Sequence, residues 1–385
     1  MKKAAIITIT DYVNYGNRLQ NYAVQELLKS FNLEVESIAN IPVREPINEL
    51  EFTTMRIKNA LKLSPLVLLK KIAEKIEERK NKDKFLNAKR AKEKSFREYA
   101  IKHTRETNFT VMGDNIPENL GEQYNYFFIG SDQIWNPNIR YGSEFDFATF
   151  APKNKRFALA PSFGLSDIPE RFVTPYSKWL SELEYLSVRE EAGATIIKNL
   201  TGREAPVLVD PTLMLTREQW LSVAEQGVNK PVKPYLLTYF IGDVSKKRKK
   251  LLAQLAKKHK LEIIRLASLD DIERYDANPG EFIDYINTAS LVCTDSFHAI
   301  IFSIHTEKPF VVFDREGKSA PMSSRIETLL SKFNFESRKF SILQNSTDIF
   351  NIDFSHIPEI LKLEREKVNQ YLNKALKQIP QLNED

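Results

Sequence analysis

Residues 4–10 form an unbroken run of apolar and β-branched side chains, the mark of a strand covered on both faces. The polar residues 11–17 follow, and then Leu19, Tyr22, Ala23, Leu27 and Leu28 recur on one face of a helix. This strand, loop and helix is succeeded by a short apolar strand at 35–38, after which Pro42 and Pro46 break the chain. A long helical region comes next. Leu61, Leu63, Leu66, Val67, Leu68, Leu69, Ile72 and Ile76 make its start amphipathic, whereas 77–84 is almost wholly polar, so the region reads as an excursion from the core.

Strands return at 124–129, which ends at Gly130, and at 157–160, 185–188 and 207–209. A helix starts at 216–220, and the polar, proline-bearing segment 226–234 reads as a linker. Beyond it, strands are expected at 235–240, 261–266, 291–294 and 310–313, helices at 246–259 and 279–287, and a last helix at 357–376. That last helix follows the final strand and is placed to pack back across the domain junction. Strands alternating with helices imply parallel sheets, and two such units predict two Rossmann-like domains facing across a cleft. The expected spans are 1–225, 226–350 and a C-terminal helical piece at 351–385.

At 385 residues the chain exceeds one ordinary domain, and its 42% hydrophobic and 28% charged content is that of a folded protein rather than a disordered one. No stretch approaches the roughly 18 consecutive apolar residues of a membrane span, and the first residues enter a strand where a signal peptide would place a cleavage site. A cytoplasmic protein is expected. The single cysteine, Cys293, permits no internal disulfide and lies in an apolar run, which reads as buried packing. The net charge of +5 is local, for residues 56–105 carry 17 Lys and Arg against 6 Asp and Glu. A basic amphipathic stretch suits an anionic membrane face or a plain solvated helix. It lacks the interleaved aromatic residues of a nucleic-acid motif, so no nucleic-acid partner is expected.

Ligands of open parallel sheets sit outside the carboxyl ends of the strands, which singles out four polar segments. In the first, Asn14, Gly16 and Asn17 stand where a helix begins, fit either to cap it or to hold an anion. The second gathers Asp132, Gln133, Trp135 and Asn136; Asp132 suits deprotonation of a hydroxyl, or a turn cap with Trp135 in the core. The third places Arg189 at a strand end, where a guanidinium forks onto a carboxylate or phosphate, or else pairs with Glu190, Glu191 or Asp210. The fourth, Thr294-Asp295-Ser296-Phe297-His298, precedes an apolar helix, and His298 there is the foremost candidate for a general acid or phosphate ligand. His103, His259, His305 and His356 lack clustered acids at metal-ligand spacing, so no metal site is expected. Neither a GxSxG elbow nor a P-loop is present.

Taken in order, Gly130-Ser131-Asp132-Gln133-Ile134-Trp135-Asn136, Ser187-Val188-Arg189-Glu190-Glu191, Val209-Asp210-Pro211-Thr212 and Asp295-Ser296-Phe297-His298-Ala299 resemble the polysaccharide pyruvyl transferase family. The resemblance implies a GT-B-like fold with the acceptor on the first domain and the donor on the second. It implies phosphoenolpyruvate as donor substrate with no further cofactor, and a pyruvyl ketal formed on two hydroxyls of a sugar. The acceptor would be a sugar, an oligosaccharide or a lipid-linked glycan destined for a capsule or exopolysaccharide, met at the inner face of the membrane. By motif position Arg189 grips the donor, with Ser296, Phe297 and His298 beside it. His298 is carried over in the same way and is expected to act as acid or phosphate ligand; from the residues themselves, Asp132 is expected as the hydroxyl base, and Asn14, Gly16, Asn17, Gln133, Trp135 and Asn136 on the acceptor side. Many members carry Arg-Leu-His where this chain has Ser296-Phe297-His298. Lys308, Arg315, Lys318 and Arg325 are the candidates to replace the lost charge, Lys308 and Arg325 foremost. The rival readings are a nucleotide-sugar glycosyltransferase on the same architecture and a non-catalytic sugar-binding protein of polysaccharide assembly.

Overall fold

The computed structural model describes residues 1–43, 82–317, 323–343 and 349–377. The first sheet is built from β1 (Lys2–Ile7), β2 (Leu33–Ile41), β3 (Glu106–Met112), β4 (Tyr126–Gly130) and β5 (Arg156–Leu159) in the order β3-β2-β1-β4-β5, every pair parallel. The second holds β6 (Tyr235–Tyr239), β7 (Glu262–Arg265), β8 (Leu291–Thr294) and β9 (Phe310–Val312) in the order β7-β6-β8-β9, again all parallel. The longer helices are α1 (Tyr15–Lys29), α2 (Lys82–His103), α3 (Glu170–Ser181), α4 (Glu191–Thr201), α5 (Lys246–His259), α6 (Pro279–Thr288), α7 (Phe297–His305), α8 (Ser323–Lys332) and α9 (Ile357–Lys377). Two Rossmann-like domains in a GT-B-like arrangement result, as expected.

Central strands are the continuously apolar ones: every residue of β4, β6 and β8 is buried. The edge strand β3, which the hydrophobic pattern does not announce, buries only Val111 and carries Thr and Asn. The expected strands at 185–188 and 207–209 are reduced to single parallel bridges, Phe157 to Tyr185 and Val188 to Val207. Ser187 explains the break, because its hydroxyl donates to the Ala158 carbonyl and accepts from the Ala160 amide at 2.9 Å in place of a backbone ladder. The helices α3 and α4 are further additions to the sequence expectation. The amphipathic start at 61–76 lies outside the described residues. No described helix is long and apolar enough to cross a membrane.

The helix α1 lies between the domains. Tyr15 stacks on Phe282 of α6 with ring centroids 4.4 Å apart, and its hydroxyl donates to the Ala277 carbonyl at 2.8 Å. At the C-terminus α9 returns to the first domain, where Tyr371 donates to the Ala158 carbonyl at 2.6 Å and Arg365 to the Leu213 and Leu215 carbonyls at 2.8 and 2.6 Å. In the first sheet the strand order reverses between β1 and β4, and in the second between β6 and β8. The loops after these strands therefore meet at the cleft, the place where parallel sheets receive ligands.

Candidate functional site

The wall contributed by the first domain starts where β4 ends. Asp132 Oδ2 accepts from Thr8 Oγ1 and the Ile9 amide, each at 2.8 Å, which joins the exits of β1 and β4. Gln20 of α1 supports both, donating to Thr8 at 2.8 Å and accepting from the Ser131 amide at 3.0 Å. Asp132 Oδ1 is buried with no hydrogen-bond partner among the described residues. Burial pushes this carboxyl up to about 6, against the opposing hydrogen bonds of Thr8 and Ile9 and the charge of Arg189.

Arg189 comes next. Its Nη1 bonds Asp210 Oδ2, and Asp210 Oδ1 accepts from the Thr212 amide at 2.9 Å and hydroxyl at 2.7 Å. Burial alone would raise Asp210; Arg189, His298 and Thr212 together outweigh it and hold the carboxyl well below the usual range. The Arg189 Nε and Nη2 atoms, which form one edge of the guanidinium, are buried with no partner among the described residues. Their two parallel N–H groups are spaced for the two oxygens of a carboxylate or phosphate.

The second domain supplies the opposite wall from the turn between β8 and α7. Asp295 accepts from the Ile241 amide at 2.7 Å and the Gly242 amide at 3.0 Å, pinning the exit of β6. Ser296 caps α7, its hydroxyl accepting from the Ala299 amide at 3.4 Å. The Phe297 ring lies 4.7 Å from Arg189 Cζ and 5.8 Å from Arg325 Cζ, so two guanidinium groups converge on one aromatic ring.

The His298 imidazole is buried, with Nε2 3.6 Å from Asp210 Oδ2, too long for a strong hydrogen bond and the nearest acid to it among the described residues. Burial lowers its affinity for a proton; Asp210 opposes this, and Arg189 and Arg325 add to it. The ring lies against Gly16 so closely that a Cβ there would sit 2.0 Å from Nδ1. Gly16 thus serves the site by its missing side chain.

Arg325 reaches the cluster from α8. The Gln133 amide, its oxygen turned toward Arg325, accepts from Nη2 at 2.7 Å and Nη1 at 3.2 Å, a bond from one domain to the other. Burial, then the nearby Arg189, push Arg325 down to about 9. Arg315 lies at the same wall: it donates to the Asp295 carbonyl at 3.4 Å, lies 3.8 Å from its carboxylate and adds its charge to the field that lowers Arg325.

Several of the sequence candidates take other places. Asn14 caps α1, accepting from the Gly16 and Asn17 amides at 2.9 and 3.4 Å, while Asn17 bonds Asp11. Asn136 caps a short helix through the Asn138 amide at 3.0 Å. Trp135 is fully buried, stacked on Phe147 and bonded to the Asp146 carbonyl at 3.1 Å, so it is core and does not line the cleft. Lys308 follows α7, whose nine residues rise about 13 Å and carry it to the amino end of β9, beside Arg217 and away from His298. Lys318 lies outside the described residues.

Sequence reasoning overlooked Thr8, took Gln20 only as part of the first polar segment and gave Glu190 only as a possible ion-pair partner of Arg189, whereas the ion pair forms with Asp210. Glu190 is buried, and its Oε1 gathers Ser162 Oγ at 3.0 Å, the Phe163 amide at 2.9 Å and the Gly164 amide at 3.0 Å, which sets the loop against Gln133. No group of three or more His, Cys, Asp or Glu that could hold a metal occurs among the described residues.

The chain was compared with known proteins. Among solved structures it is similar to a UDP-GlcNAc 2-epimerase from Neisseria meningitidis (9% identity, 98% of this chain and 100% of that one, TM-score 0.43). It is also similar to a putative UDP-N-acetylglucosamine 2-epimerase from Listeria monocytogenes (7%, 98% and 97%, 0.47) and to the E. coli heptosyltransferase WaaC (10%, 86% and 99%, 0.34). A search of curated proteins finds no match. The sequence model of the polysaccharide pyruvyl transferases matches residues 14–317, a span that takes in the Asn14 cap, Asp132, the Arg189–Asp210 pair and His298. The cluster at the cleft and the match over most of the chain lead to one assignment: the chain belongs to the polysaccharide pyruvyl transferase family.

Proposed function

We propose that the protein transfers a pyruvyl group from phosphoenolpyruvate to two hydroxyls of a sugar, releasing phosphate and forming a cyclic ketal. One observation carries this reading: the buried Nε and Nη2 edge of Arg189, held by Asp210 and unpartnered among the described residues, beside a His298 Nε2 that stands 3.6 Å from the same carboxylate. Buried donors that lack protein partners are suited to an anion, and phosphoenolpyruvate bears a carboxylate and a phosphate on one small skeleton. Arg189 takes one anionic group by its free edge, and Arg325, over the same Phe297 ring, lies close enough to share the other.

The donor also loads the acid. His298 is held neutral by burial and by the two arginines. A bound anion offsets that positive field and raises its proton affinity. Protonated, His298 delivers a proton to the methylene carbon, C2 becomes electrophilic, and the first sugar hydroxyl adds to it. The second hydroxyl then displaces phosphate from C2. Of the two hydroxyl protons, one replaces that given to the methylene and the other leaves with phosphate. Asp132, pushed up toward neutrality, is placed to accept a hydroxyl proton on the acceptor side. No further cofactor enters this scheme, because the donor carries the activated carbon.

The test is phosphate release from phosphoenolpyruvate with a panel of galactosides, glucosides and mannosides. Acceptor-dependent release that falls by about a hundredfold or more in Arg189→Ala and in His298→Ala is expected. Absence of release with every acceptor, together with calorimetric binding of a nucleotide sugar, would overturn the proposal in favour of glycosyl transfer.

A further inference from the structure

One deeply buried cation takes no part in the scheme above. Arg140 ends the short helix Pro137–Arg140 that follows Asn136, and only 2% of it is exposed. Its Nε and Nη2 fork onto the Asp146 carboxylate at 3.0 and 2.6 Å, and Nη2 also donates to Asn40 Oδ1 at 2.8 Å. The Asn40 side chain cannot turn over, because its nitrogen donates to the Thr8 carbonyl at 2.7 Å and the Ile38 carbonyl at 2.9 Å. Thr8 in turn donates its hydroxyl to Asp132 at 2.8 Å. Asp146, Arg140, Asn40, Thr8 and Asp132 thus form one line of contacts across the exits of β1, β2 and β4, and none of them is more than 7% exposed.

The directions of these hydrogen bonds are forced. The Ser131 amide donates to the Gln20 side-chain oxygen at 3.0 Å, so the Gln20 nitrogen faces Thr8 Oγ1 and donates to it at 2.8 Å. Thr8 therefore keeps its single hydrogen for Asp132 Oδ2. The Ile9 amide donates to that oxygen as well, at 2.8 Å. With two donors on Oδ2, a proton arriving at Asp132 goes to Oδ1, the oxygen without a partner among the described residues. At the other end of the line Arg140 Nη1 is likewise buried and without a partner among the described residues. The charges that act on Asp132 are those of Arg189 and Arg140. Arg189 is paired with Asp210 in the cluster proposed for the donor, whereas Arg140 faces Asp146, Asp132 and the Tyr176 side chain. A guanidinium keeps its charge at any working pH, and in a buried site that charge is weakly screened.

Resting on the transferase reading above, we infer that Arg140 is a positioning residue for the base of the reaction: through Asn40 and Thr8 it holds Asp132 with Oδ1 alone open to a proton, and it sets a permanent positive charge behind that carboxylate. The O–H bond of the acceptor hydroxyl breaks as its proton passes to Oδ1, the electron pair left on the sugar oxygen forms the bond to C2, and Asp132 becomes the neutral acid. Burial favours the protonated form of Asp132; Arg140 and Arg189 oppose it, which keeps the base ionised near neutral pH.

The test follows Asp132 in the full chain without substrate, by carbon-13 NMR of labelled aspartate carboxyls, its signal being identified by its loss in Asp132→Asn. In Arg140→Met the Asp132 midpoint should rise by about one pH unit, and in Arg140→Lys, which restores the charge, it should return toward the wild-type value. The acid limb of kcat for acceptor-dependent phosphate release should move to higher pH with it, while KM for phosphoenolpyruvate stays unchanged. A midpoint that does not move in folded Arg140→Met, or that lysine leaves as high as methionine does, would overturn the inference and leave Arg140 a packing residue. Asn40→Ala keeps the Arg140–Asp146 pair and breaks the line, so it decides the matter where Arg140→Met does not fold. A fall of about tenfold in kcat with unchanged KM is expected there, and wild-type kcat would overturn the positioning role. Because Asp132 is titrated in the free protein, a wild type that releases no phosphate with any acceptor refutes the transferase reading alone.

Discussion

Replacing Gly16 by alanine perturbs the site through a single methyl group. An ideal Cβ at this position falls 2.0 Å from His298 Nδ1, 2.5 Å from Cε1 and 2.7 Å from Cγ, and these are its three nearest neighbours. Carbon contacts settle near 3.5–4.0 Å, so the ring must retreat by roughly 1.5 Å. Its Nε2 stands 3.6 Å from Asp210 and cannot hold that position while moving so far. Overpacking of this kind costs about 1–3 kcal/mol, and a misplacement near 1 Å at reacting groups costs about a hundredfold in rate. Alanine is otherwise the better helix former by up to about 1 kcal/mol, and Gly16 has an ordinary negative φ. The effect should therefore change sign when the ring is removed. Denaturant unfolding and phosphate release would be measured on wild type, Gly16→Ala, His298→Ala and the double variant. Gly16→Ala should destabilise and inactivate the wild type, yet be neutral or stabilising in the His298→Ala background. Equal destabilisation in both backgrounds, or full activity in Gly16→Ala, would refute the claim that this glycine exists to admit His298.

Two further predictions concern buried acids. Asp132 titrates near 6 in the folded protein against an ordinary value of 3.8, so the native state binds this proton more tightly and stability from this group rises as pH falls from about 6 toward 3.8. Asp132→Asn should remove that part of the pH dependence, worth up to about 3 kcal/mol, and unchanged unfolding curves between pH 7 and 4 would contradict it. Cys293 is fully buried and its thiol is pushed up by burial, so a thiol reagent should leave the native protein unlabelled and react once on unfolding; rapid native labelling would disprove the burial.

The strands that proved easiest to read were the ones buried on both faces. β4, β6 and β8 appear as largely apolar runs because both sides are covered, and α5 falls at the expected 246–259, where the structure closes it with the Ser245 cap and a left-handed Lys260. β3 was missed because an edge strand that fully buries only Val111 needs no apolar run. The segment 185–188 was overread because Ser187 replaces the ladder bond that a composition rule would assume. Among site residues, Arg189 and His298 stood out by following strands, the place where any parallel sheet presents its ligand groups.

The sequence by itself determined the two parallel sheets, the polar turns at their carboxyl ends and the identity of the groups those turns present, because burial and turn chemistry act locally along the chain. Only the tertiary structure decided which groups meet. It turned Trp135 into the core, carried Lys308 to the far end of α7, brought Arg325 to Gln133 across the cleft, and folded Lys92 out of a solvated basic run into an aromatic box. Those outcomes rest on helix length, on the fit of His298 against Gly16 and on the docking of one domain on the other. They belong to contacts between residues far apart in the chain, which no local pattern records.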